Sequence, residues 1–422
     1  MMMSGCCRIK FVDMRTRRST VTRAEYTVGL SCSIAGTAMG LLALTTLSAT
    51  AGGQSSRGLT TAILLSIIAL TTGGLVPLVP RVCHRFGVRR TYVVAMLMTA
   101  CVWAALGVLE FAGLVSVTIL YLSGIVLGGV MAATTVLKPL YSRVFLGGAG
   151  MSVSYARQSF ISGFAWVVGA LIGGLLIAQF GPGWPLVVNA VLFLPLAYTV
   201  GRSSTGDEPK LQERGHRMKG ALRACVRDHP GIRDVMLVAS CAILLVGPMS
   251  SMVVPLVDSL ESFPEAGAGL LMAAIGLGRV GTPTMVSRVG RRMTPIAGAM
   301  LVEGLSGALL IVLAVSSMVF TGVAEVVVWC MLGAAFGVGR FSGRAFEVGA
   351  GLDSVNEDER VVAMTSLILV ALLTTPLGLL LWGVLLDAST PQVTLLVAGV
   401  GMLLAMALLR LTRPTLRAAR PD

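Results

Sequence analysis

Twelve apolar runs, most of them close to twenty residues long, follow one another along this 422-residue chain, and their succession leaves few folds open. They fall at 26–49, 58–80, 91–112, 114–137, 154–180 and 184–201, and resume after a polar stretch at 234–257, 264–287, 293–315, 319–339, 361–386 and 391–411. A helix of about twenty residues crosses the hydrocarbon core of a bilayer, ~30 Å thick. Inside lipid each span must satisfy its own backbone polar groups, which uninterrupted runs of this length do as helices. Composition agrees: 13% of residues are charged and the mean hydropathy is +0.85, where a soluble domain carries about 25% charged residues. The expected fold class is therefore an all-α integral membrane protein of about twelve transmembrane helices, in two pseudo-symmetric six-helix bundles.

The net charge of +13 would suit an anionic partner such as nucleic acid, but the positions of the basic residues point elsewhere. With the N-terminus inside, 31 of the 33 Lys and Arg residues fall in inner segments, leaving Arg57 outside and Arg279 within a span. Asp258, Glu261, Glu265 and Asp387 lie in the outer turns. One helix more or fewer would reverse the side of every later cluster, so this asymmetry fixes the orientation along with the helix number. Both termini are expected in the cytoplasm of a bacterial cell, with the chain in the inner membrane and no nucleic-acid partner. The expected divisions are a retained basic tail (1–25), a first bundle (26–201), a cytoplasmic linker (202–233), a second bundle (234–411) and a basic tail (412–422). Part of the linker, Lys219 to His229, reads either as a short amphipathic helix on anionic lipid or as a solvated stretch. None of the eight cysteines falls in an outer segment, so no disulfide framework is expected.

The halves repeat. Between the second and third spans the chain reads His84-Arg85-Phe86-Gly87-Val88-Arg89-Arg90, and between the eighth and ninth Ser287-Arg288-Val289-Gly290-Arg291-Arg292. A second pair, Gly169-Ala170-Leu171-Ile172-Gly173-Gly174 and Thr375-Pro376-Leu377-Gly378, recurs at nearly the same spacing. The paired loops resemble the major facilitator superfamily, whose loop between helices two and three has the form Gly-x-x-x-Asp-Arg-x-Gly-Arg-Arg. His84 and Ser287 stand where that pattern has Asp, and Pro80 where it has the leading Gly. The resemblance implies a conformational latch, carried here by Arg85, Gly87, Arg89 and Arg90 in one copy and Arg288, Gly290, Arg291 and Arg292 in the other. Gly would make the tight reversal, and the arginines would pair with acids or helix ends of the other bundle in one state.

Gly169, Gly173 and Gly174 in helix five resemble the Gly-x-x-x-Gly-Pro-x-x-Gly-Gly pattern of exporting branches, with Ala170 in place of Pro. Close helix packing in lipid accounts for the same glycines. The run from Gly269 to Gly278 looks like drug, macrolide and siderophore exporters of the superfamily, a likeness that implies proton antiport, and it also shares features with the sugar-efflux branch.

A charge inside the bilayer costs about 2.5–3.5 kcal/mol on insertion scales, so each one calls for a role or a partner. Arg279 and Glu303 share a depth on consecutive spans, and their expected pairing reads either as a protonation switch or as a static ion pair. Glu325, a turn inside the outer end of helix ten, is a secondary candidate. Arg340, Arg344 and Glu347 read either as gate contacts or as topological charges at the inner face with local pairing, and Lys138 as snorkelling to the surface. In the family, helices one, four, seven and ten line the cavity. Here they offer Ser31, Ser33, Thr37, Thr45, Ser123, Thr134, Ser240, Ser250 and Met249 in an otherwise apolar wall, which suits an amphipathic or lipophilic solute.

There is no Gly-x-x-x-x-Gly-Lys-Ser/Thr phosphate loop and no metal-spaced His or Cys cluster, so neither a cofactor nor a metal is expected and no catalytic residue is assigned. The expected function is secondary active, proton-coupled efflux of a small molecule by a monomeric, lipid-embedded protein. Two alternatives stand beside it: a sugar or metabolite facilitator of the same fold, and a membrane sensor that does not transport.

Overall fold

The computed structural model describes residues 21–53, 56–146, 151–203, 227, 229–258, 260, 266–355 and 360–413. Most of the N-terminal tail, nearly all of the linker with its Lys219 to His229 stretch, and the tail beyond Arg413 lie outside these residues. What is described is helical almost throughout. The first half holds α1 (Arg23–Ala51), α2 (Arg57–Phe86), α3 (Val88–Phe111), α4 (Val117–Leu146), α5 (Met151–Phe180) and α6 (Gly183–Arg202). The second holds α7 (Pro230–Leu245), α8 (Gly267–Gly290), α9 (Pro295–Val319), α10 (Val323–Asp353), α11 (Arg360–Ala388) and α12 (Pro391–Thr412). Eleven of these helices are long and apolar enough to span a bilayer.

The twelfth, α7, is interrupted. Pro248 has no N–H to donate and its ring crowds the carbonyl four residues back, so the helix stops. The chain then takes a 3-10 turn (Gly247–Ser250) and a short helix (Val253–Val257). The freed carbonyl of Leu245 accepts a hydrogen bond from Trp382 Nε1 of α11 at 3.0 Å, which keeps this buried break satisfied.

Helix starts follow local chemistry. The Thr22 hydroxyl accepts from the Glu25 N–H at 3.2 Å, and the Glu25 carboxylate accepts from the Thr22 N–H at 2.7 Å, closing a capping box on α1. Gly87 alone separates α2 from α3 at φ 86°, a conformation that an L side chain strains to adopt. Its repeat partner Gly290 behaves differently: α8 runs through it, and the four residues Arg291 to Thr294 make the turn before α9. The longer connection removes the need for a left-handed residue.

One apolar cluster is built wholly from residues between Val21 and Val200. At its basic end Tyr26 stacks on Phe145 at 4.7 Å between ring centroids, and Tyr92 on Tyr141 at 5.1 Å. The other cluster is built chiefly from residues after Val238, joined by Leu42, Ala49, Ala62, Leu65 and Ala170 of the first half. The cross-half packing shows the repeat: α5 lies on α1 and α8, and α11 on α7 and α2.

The seams between halves are backbone against backbone. A methyl group on Gly174 would stand 3.0 Å from Gly269 Cα, and one on Gly58 would stand 2.8 Å from the Gly383 carbonyl. Both seams lie toward the Asp387 end. Towards the basic end the close approaches extend to Gly73 against Leu372 and to Gly163 against Arg279. Gly163 is twelve residues, about 18 Å, short of the start of α5.

Candidate functional site

The site is best built from α10, which packs on both α8 and α9, whereas α8 and α9 scarcely touch each other. Small residues permit this. A side chain on Gly337 or Gly278 would collide with the backbone of the facing helix, and one on Gly343 would collide with the Glu303 carboxylate. Glu303 thus lies flat on α10 with no exposure to solvent, eight residues or ~12 Å into α9.

Its partner is Arg340, whose Nη1 donates to Glu303 Oε1 at 2.8 Å. The second oxygen, Glu303 Oε2, is buried without a hydrogen bond. One turn further along α10, Arg344 Nη1 donates to Glu347 Oε2 at 2.9 Å, while Glu347 Oε1 is likewise buried and unbonded. Arg340 also faces the break in α7, where a methyl group on Gly247 would stand 3.7 Å from its Nη2. Desolvation of the Glu303 carboxyl favours its neutral form and Arg340 favours its charged form, so the site holds a carboxylate between opposed influences.

The expected pairing of Glu303 with Arg279 is corrected by this geometry. The two do share a depth, but α10 stands between their helices, and Arg279 points to α5. Its guanidinium lies over the Trp166 ring at 5.0 Å and the Phe341 ring at 4.0 Å. Placing Arg340 at the inner face is corrected as well. The helix does not end at the charge but continues to Asp353, so Arg340 sits thirteen residues inside it. The local pairing expected of Arg344 and Glu347 is present. Lys138, expected at the surface, is half-buried, within electrostatic reach of Arg279. Glu325 is 4% exposed in the first turn of α10, at the far end of that helix from Asp353.

Among the loop arginines, Arg89 donates to the Ser203 carbonyl at 2.6 Å and Arg291 to the Ser287 carbonyl at 3.1 Å, both within their own halves. Arg85, Arg90, Arg288 and Arg292 are exposed. The glycines of α5 divide their work. Gly169 and Gly173 face Ala35 and Met39 of α1, one helical turn apart, and Gly174 turns across to α8. The hydroxyls of Ser33, Thr37, Thr45, Ser123, Thr134 and Ser240 all bond carbonyls of their own helices.

Sequence reasoning missed one further contact. Asp387, at the end of α11, accepts from the N–H groups of Gly58 and Leu59 through its two oxygens, each at 2.8 Å. The first turn of α2 has no side-chain cap of its own, so the other half supplies one. Its acidic position in an outer turn was the available signal. Among the described residues no group of three or more His, Cys, Asp or Glu side chains is arranged to hold a metal.

Several solved structures share the fold. A mutant of the nucleoside transporter NupG superposes with a TM-score of 0.73 at 11% identity, covering 92% of this chain and 99% of that one. An auto-inhibited peptide transporter of the POT family gives 0.66 at 14%, covering 95% and 97%. A bacterial homologue of the human lysosomal transporter Spinster, inward-facing and unoccupied, gives 0.67 at 13%, covering 94% and 98%. No curated protein matches the chain in sequence. The sequence profile of the Major Facilitator Superfamily matches residues 26–346, three quarters of the chain, and with the helical duplication described above it identifies this multi-pass membrane protein as a transporter belonging to that superfamily.

Proposed function

We propose that the chain is a secondary active transporter that exports a lipophilic or amphipathic small molecule from a bacterial cytoplasm in exchange for protons. Both termini lie inside, and the bundles 26–201 and 234–411 rock against each other as a monomer. The observation that supports coupling is Glu303: fully buried, bonded to Arg340 through one oxygen, with the other oxygen unsatisfied. The charged groups around it are Arg340, Arg344 and Glu347, all from α10. Protonation of Glu303 removes the counter-charge of Arg340 beside the α7 break, and loss of the proton restores it. A two-state element is thereby biased by proton occupancy. The close approaches between halves concentrate toward Asp387, which suits a state open at the basic end.

The test is flux in proteoliposomes under an imposed pH gradient, with a panel of lipophilic drugs. The wild-type protein is expected to concentrate at least one of them, and a protonophore to abolish the accumulation. Glu303→Gln should still equilibrate that substrate but no longer concentrate it. A Glu303→Gln protein that responds to the gradient as the wild type does would remove Glu303 from the coupling.

A further inference from the structure

Glu347 reproduces the arrangement of Glu303 a short way along α10. Both carboxylates are wholly buried, and each binds one arginine through a single oxygen, Glu303 to Arg340 at 2.8 Å and Glu347 to Arg344 at 2.9 Å. The second oxygen of each is buried and unbonded. Burying an acceptor without a partner is unfavourable, so two such oxygens in one place call for a role.

The two acids meet on one face of α10. Arg340, Arg344 and Glu347 follow at spacings of four and three residues, which puts them on the same side of the helix. Glu303 comes from α9 and is laid against Gly343, where a methyl group would collide with its carboxylate. Glu347 is one turn beyond Gly343, and helical side chains lean back over the turn before them. A side chain at 343 would stand between the acids, and glycine has none. Measured along α10, Gly343 lies ten residues, about 15 Å, from the Asp353 end and Glu347 six residues, about 9 Å. The Arg344 side chain is 24% exposed where that of Arg340 is 13%, so water meets the Glu347 pair first.

The helices packed on α10 bring few other charges. In α8 these are Arg279, held over Trp166 and Phe341, and Arg288, which is exposed. In α7 they are Arg233, exposed, and Asp234, 3.8 Å from Arg413. Those of α11, Arg360 and Asp387, are at its two ends.

We propose that Glu347 is a second proton carrier, standing between Glu303 and the water of the inner face. This rests on the coupling role of Glu303 and adds the route by which its proton leaves. The bond from the proton to Glu303 Oε2 breaks as one to Glu347 Oε1 forms. Glu303 is left as the carboxylate paired with Arg340, and Glu347 becomes a neutral acid beside Arg344. Loss of the proton to inner water restores the Arg344 pair. The four groups carry one net positive charge with the proton on either acid, so the transfer itself creates no new buried charge.

Time-resolved infrared spectroscopy on the full chain in detergent follows the proton with no substrate present. After a flash that releases acid from a caged proton source, the carbonyl band of protonated Glu303 rises, identified by its absence in Glu303→Gln. In Glu347→Gln the band should reach the wild-type amplitude at least tenfold more slowly, and Glu347→Asp, which keeps an acid there, should recover most of the rate. A rise in Glu347→Gln within threefold of the wild type overturns the relay and leaves the coupling role of Glu303 standing. Loss of the band in Glu347→Gln, or slowing that Glu347→Asp does not relieve, makes 347 a structural position and overturns the relay as well. If no band depends on Glu303 in acid or alkaline buffer, relay and coupling fall together.

Discussion

Replacing Asp387 by Asn tests how the two halves are held together at one end. The carboxylate accepts two short bonds from the start of α2, at Gly58 N and Leu59 N. Hydrogen bonds to a charged group contribute about 1.5–3 kcal/mol, and an anion at a helix N-terminus about 0.3–1 kcal/mol more. An amide keeps the shape and one weaker acceptor, so the substitution should remove ~2 kcal/mol from the arrangement closed at this end. At about 1.4 kcal/mol per tenfold, the population open at the Asp387 end rises roughly 30-fold. Ser66, 4% exposed with its hydroxyl 3.3 Å from the Pro376 carbonyl, lies in the seam between α2 and α11 and reports on its opening. In a Ser66→Cys protein reconstituted in vesicles, an impermeant thiol reagent applied from the Asp387 side should react tens of times faster when Asn is also present at 387. A rate within threefold of the parent, in protein of unchanged thermal midpoint, would refute the cross-half capping argument.

Other substitutions separate packing from charge. Arg340→Ala leaves Glu303 buried without its partner and should cost about 3–5 kcal/mol of stability, measured by thermal unfolding in detergent. Adding Glu303→Gln to it should recover much of that loss. Gly169→Leu places a side chain in the backbone of Ala35, so properly assembled protein should be lost in size-exclusion profiles while Gly74→Leu, with open space around it, is tolerated better. Trp382→Phe removes the donor to the Leu245 carbonyl and should cost about 1–3 kcal/mol, because the acceptor at the α7 break is left buried.

The spans and their order were legible because lipid makes length and apolarity nearly sufficient to define a helix. The α5 glycines were legible for a related reason: small residues one turn apart mark close helix contact. Side-chain pairing was less legible. The rise per residue gives the depth of Arg279 and Glu303, but it says nothing about the direction each faces or about which helix stands between them. Consecutive spans need not be neighbours, and here α10 separates α8 from α9. Arg340 was misplaced because a charge was taken to end an apolar run, whereas a buried carboxylate allows the helix to carry it onward. Asp387 went unrecognised because its partners are backbone N–H groups 329 and 328 positions away in sequence. The interruption of α7 at Pro248 carried a plain signal in Gly247-Pro248, although its satisfaction by Trp382 did not.

The glycine seams at Gly58 with Gly383 and at Gly174 with Gly269 have a thermodynamic consequence. Surfaces made of backbone carry few apolar side-chain atoms, so the hydrocarbon wetted on opening comes mainly from the few first-half side chains, Leu42, Ala49, Ala62, Leu65 and Ala170, that join the second-half cluster. Heat-capacity change follows newly wetted apolar area, and opening along these seams should therefore carry a much smaller heat-capacity change than unfolding. The balance between the two faces of the transporter would then shift with temperature along a van 't Hoff line far less curved than that for unfolding of the same helices.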